Sequence, residues 1–74
     1  MKEASIDLTE YKVKEIRYPH GEYRLGKAAE VIDEGSFYRI DGTHIFDKHK
    51  IVEIRESEGI VEIHMKDRDV VLIV

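Results

Sequence analysis

The chain has 74 residues, 38% of them Asp, Glu, Lys or Arg, a net charge of −4, and no Cys, Trp, Asn or Gln. That length makes one domain, residues 1–74, with a small core; the lack of cysteine excludes a disulfide framework and thiol redox chemistry, and no apolar run reaches the ~20 residues of a membrane span. Few thermolabile amides and thiols beside abundant Lys and Glu is the compositional mark of heat adaptation, in which surface charges pair into networks.

The stretch Met1-Lys2-Glu3-Ala4-Ser5 lacks the apolar core of a signal peptide, so a cytoplasmic protein is expected. Ile6 and Leu8, Tyr11 and Val13, then Ile16 and Tyr18 alternate over short stretches, which predicts a strand over residues 11–18 with an irregular turn before it. Tyr18-Pro19-His20-Gly21 is a turn signal, and residues 22–25 are placed to pair back on the first strand. Next, Leu25, Ala28, Ala29 and Ile32 recur at i, i+3, i+4 and i+7, the apolar stripe of an amphipathic helix. Gly35 follows where a helix ends in left-handed geometry, so a short helix is predicted near residues 27–34.

The second half reads as a meander. Phe37-Tyr38-Arg39-Ile40, Asp41-Gly42 and Thr43-His44-Ile45-Phe46 predict a hairpin with a two-residue type I′ turn, in which Tyr38 faces Ile45 and Arg39 faces His44. Strands follow over 50–55, 60–66 and 69–74. A two-residue loop at Asp67-Arg68 would pair Val61, Ile63 and Met65 with Val74, Leu72 and Val70, giving one apolar face and an opposite face of mixed character. The fold class expected is α+β: a small antiparallel sheet or partly open barrel of five to six strands with one short helix near 27–34. The apolar run Val70–Val74 must lie inside the sheet, be covered, or pair with a second copy as a homodimer, because a bare edge of that composition aggregates.

Charge is uneven. Between positions 30 and 47, Glu30, Asp33, Glu34, Asp41 and Asp47 face Arg39 alone, and this segment carries the whole net charge. Asp33, Glu34, Asp41 and Asp47 beside glycine turns are an expected site for a divalent cation, calcium by its preference for carboxylate and carbonyl oxygens and its tolerance of irregular geometry. Solvated ion pairing is the plainer reading of the same acids, and no EF-hand spacing is present. His20, His44, His49 and His64 lack the spacing of a transition-metal site. Ser5, Ser36, Ser57, Thr9 and Thr43 include no nucleophile placed beside a predicted His–acid pair, so a non-enzymatic binding module is expected.

Aromatic residues on exposed strands can stack nucleobases, but hairpin and core packing is the plainer reading, with Phe37 expected to face Phe46 across a ladder. Gly21 and Gly26, followed by Lys48-His49-Lys50-Ile51 and Ile54, resemble the spacing in bacterial Sm-like RNA chaperones, where a lysine–histidine pair precedes isoleucines on a late strand. The resemblance spans residues 21–54 and implies an alternative, a small barrel that binds nucleic acid; Lys48 and His49 of the motif, with Lys12, Lys14 and Arg17 of a weak basic stretch interrupted by Glu15, are the residues expected to carry that binding. The acidic balance works against that partner, since phosphate contacts supply most of the affinity for nucleic acid.

Overall fold

The computed structural model describes residues 7–74. Seven antiparallel strands form one open sheet: β1 Lys12–Tyr18, β2 Gly21–Asp33, β3 Phe37–Ile40, β4 His44–Asp47, β5 Ile51–Ser57, β6 Ile60–Met65 and β7 Asp69–Ile73. Their spatial order is β4-β3-β2-β1-β7-β6-β5. The only helical pieces among the described residues are two single 3-10 turns, Leu8–Glu10 and Lys48–Lys50. Each is capped by an aspartate: Asp7 accepts from the Thr9 amide and Asp47 from the His49 amide.

This corrects the α+β expectation of five to six strands and a helix near 27–34. The Leu25/Ala28/Ala29/Ile32 stripe lies within β2, a strand of 13 residues. A two-turn helix closes few hydrogen bonds for its nucleation cost, and the same segment as a strand gains partners on both sides. The stripe also has a strand meaning. Val13 pairs with Ala29 and Glu15 pairs with Arg24, so two steps along β1 answer five along β2. The three extra residues form a large bulge that bends β2, which then leaves β1 and takes β3 as its partner through Val31↔Ile40 and Asp33↔Tyr38. Leu25 and Ala29 pack on the core from either side of this bend, while Ile32 faces solvent.

The sheet has to curl. Its two edges, β4 and β5, are joined by residues 48–50 alone. Four Cα–Cα steps reach at most ~15 Å, whereas six interstrand spacings laid flat would separate the edges by roughly 29 Å. Curling sends one side chain in two inward. Val13, Ile16, Val31, Ile40, Phe46, Val61, Ile63, Met65, Val70 and Leu72 are buried there, with Leu8 of the first 3-10 turn packed among them.

Two hairpin registers differ from the sequence expectation. Tyr38 pairs with Phe46 and Ile40 with His44, one residue from the expected alignment, because the loop holds Asp41, Gly42 and Thr43 rather than two residues. Asp41 and Gly42 both adopt positive φ, as the Asp-Gly signal requires. His44 therefore lies opposite Ile40 and not Arg39. In β6–β7, Val61 pairs with Leu72 and Ile63 with Val70, a shift of two that keeps every side chain on its expected face. The Met65 amide donates to Arg68 O at 2.8 Å, closing a longer loop. β7 lies between β1 and β6. The run from Val70 to Ile73 thus lies inside the sheet.

Candidate functional site

The acids expected to share a cation are engaged separately. Asp33 Oδ1 accepts from Lys48 Nζ at 2.7 Å and from the Gly35 amide at 2.8 Å. The Lys48 bond, then the Gly35 amide, hold the Asp33 carboxyl below its usual range, and Asp33 in turn raises Lys48. Glu34 is ion-paired with Arg39. Asp47 caps the second 3-10 turn, and Asp41 is exposed in the β3–β4 loop. No group of three or more His, Asp or Glu side chains converges as a metal cage among the described residues.

The basic residues of the nucleic-acid alternative are dispersed as well. Arg17 pairs with Glu15 at 2.9 Å and approaches Glu22 at 4.0 Å. Lys48 is held by Asp33 and lies 4.8 Å from the centre of the Tyr38 ring. Lys12 and Lys14 are exposed on β1, Lys12 opposite Glu30, and His49 is exposed in the 3-10 turn.

A different set of side chains does converge. Ile16 and Tyr23 are cross-strand partners, so Tyr18, Ile16 and Tyr23 share the inner face of the β1–β2 hairpin. His44 and Phe46 share the inner face of β4. At the end of the curled sheet where the β1–β2 turn meets the start of β4, Phe46 stays buried, whereas the rings of Tyr18, Tyr23 and His44 reach the surface. They line an open cleft of about 430 Å³, completed by His20, Thr43 and Ile45 and by Arg68 from the β6–β7 loop.

Tyr18 is the hub of this cleft. Its ring stacks near His20 (centroids 5.1 Å, planes 16° apart) and near His44 (5.7 Å, 25°). Phe46 lies behind at 6.2 Å, and the Arg68 guanidinium sits 5.3 Å from the Tyr18 ring centre. Tyr23 meets Tyr18 and His44 edge-on, at 5.5 and 5.1 Å. With His44 protonated on Nε2, the Tyr18 hydroxyl donates to Nδ1 at 2.8 Å. Burial pushes the Tyr18 phenol upward, against a smaller opposing pull from Arg68. Tyr18 is therefore a protonated donor at neutral pH, not a phenolate nucleophile.

No protein-family model, curated protein or solved structure matches this chain. No helix among the described residues is long and apolar enough to cross a membrane.

Sequence reasoning assigned these residues elsewhere: Tyr18-Pro19-His20-Gly21 as a turn, the aromatics as ladder packing or base-stacking groups, Arg68 as a loop residue. Strand parity alone could have grouped Tyr18 with Tyr23 and His44 with Phe46. Bringing the two pairs together needs the curl of the sheet, which no local pattern encodes.

Proposed function

We propose that this chain is a small, cytoplasmic, non-enzymatic binding module whose ligand site is the Tyr18 cleft, and that it takes flat unsaturated rings by stacking. The observation that carries this reading is a set of rings concentrated on an open rim. Tyr23 remains 44% exposed, although its partners Tyr18 and His44 are half-buried. An aromatic cluster serving only packing would be sealed by neighbours; here one side is left for a further ring. Stacking on aromatic side chains is worth ~1–3 kcal/mol per base-sized ring and tolerates different rings, because each has a π-face. The polar rim of His20, His44, Thr43 and Tyr18 supplies hydrogen-bonding groups for orientation.

The calcium reading has less support, since Asp33 and Glu34 each face a cation. The reading as a nucleic-acid-binding barrel has less support too, since Arg17 and Lys48 are committed to carboxylates. The test is an amide-resolved NMR titration with adenosine and with uridine, both neutral. Expected are saturable shifts confined to residues 18–23, 43–46 and 68. No shift there at millimolar nucleoside, or shifts confined to another face, would overturn the proposal.

A further inference from the structure

Resting on that reading, we infer that the ring taken by the cleft carries one compact anionic group seated on Arg68, and that the ligand is of the nucleoside-monophosphate class.

The cleft is electrostatically unlike the rest of the molecule. Sixteen of the 74 residues are Asp or Glu, yet none of the residues lining the cleft is acidic. The arginines divide in the same way. Arg17, Arg24, Arg39 and Arg55 each lie within 4.0 Å of a carboxylate. Arg68 alone meets no carboxylate among the described residues; its Nε, like that of Arg39, is buried without a hydrogen-bond partner. A guanidinium left with donors unspent, on a ring face, is suited to an oxyanion, which it can bind through two parallel hydrogen bonds. His20, His44 and Thr43 add polar groups at the same rim and no negative charge.

Size and surroundings then narrow the class. A cleft of about 430 Å³ is at the scale that holds a whole small ligand, roughly 300–1,000 Å³, and exceeds what a single-ring acid would fill. A base, a sugar and one phosphate match that space. A long polyanion does not suit the surface outside it. Arg68 is flanked in sequence by Asp67 and Asp69, the cleft's loop begins with Asp41, and the chain is net negative. Polymer binding needs several phosphate contacts along a basic track, and the cleft lining holds one arginine and no lysine.

The test compares adenosine, adenosine 5′-monophosphate, inorganic phosphate and octa-adenylate by the same amide titration at low salt. The monophosphate is expected to bind roughly tenfold or more tightly than adenosine, because a charge-assisted bond to Arg68 is added. Inorganic phosphate is expected to shift residues near 68 weakly. Arg68→Ala should erase the difference between monophosphate and nucleoside, with its dispersed amide spectrum reporting that the variant is folded; Arg68→Lys should keep part of the gain. Equal affinity of the wild-type chain for adenosine and its monophosphate would overturn this inference and leave the ring-binding reading standing. Failure of both to bind would remove the two together. Octa-adenylate binding far more tightly than the monophosphate, with steep salt dependence, would overturn the single-anion site in favour of a polymer.

Discussion

His64 on β6 is held between two carboxylates, with Nε2 3.0 Å from Glu62 and Nδ1 3.2 Å from Asp69. Glu62 first and Asp69 second raise its pKa above the ordinary 6.5, outweighing desolvation. The sign of the linkage follows. A folded value above the unfolded one means that the stabilisation is complete below about pH 6.5 and is lost as pH rises through the folded value. Glu53, opposite His64, is itself held low by its hydrogen bond to Arg55. The urea midpoint of the wild-type chain should therefore fall, relative to that of His64→Gln, between pH 6 and pH 8. Parallel midpoints over this range would mean that His64 contributes no such linkage. The residue scale is also where the sequence was least informative about pairing. The acids at 33 and 34 were visible as a cluster, but whether they face each other or a cation depends on Lys48 and Arg39. Those residues arrive from the second 3-10 turn and from β3.

At the scale of elements, β2 explains both what the sequence disclosed and what it hid. Strands β6 and β7 were legible because Val61, Ile63 and Met65, and then Val70 and Leu72, alternate between Gly or Asp turns, and β5 from the β-branched cluster Ile51, Val52 and Ile54. The β3–β4 hairpin was legible from Asp41-Gly42, although loop length, and with it the register, was off by one. The 25–32 stripe misled because a bulge breaks period two, and the residual spacing of three and four imitates a helix. The bend gives a direct expectation. Residues 25–28 have no register partner on β1, whereas 22–24 and 29–30 do. In native-state hydrogen exchange the amides of 25–28 should exchange faster than those of 22–24 and 29–33. Uniform protection along β2 would contradict a bulge of this size.

At the scale of the whole molecule, a seven-stranded sheet without a covering helix buries its core by curling. The short 48–50 link between opposite edges enforces the curl. The outer face is then left to charge. Glu15, Arg17, Glu22 and Arg24 on β1 and β2, and Glu53, Arg55, Glu62, His64 and Asp69 on β5 to β7, form ion pairs around Val71 and Ile73. That is the network expected of the composition, and none of its carboxylates lines the aromatic mouth around Tyr18. The claim that this mouth is a ligand site rests on Tyr18, Tyr23, His44 and Arg68 being assembled from three separated stretches of chain. Intermolecular nuclear Overhauser contacts between adenosine 5′-monophosphate and the side chains of the labelled protein test it most directly. Contacts from the adenine H2 and H8 protons to the rings of Tyr18, Tyr23 and His44 are the predicted result. Contacts to a different face, or none at saturating ligand, would contradict it.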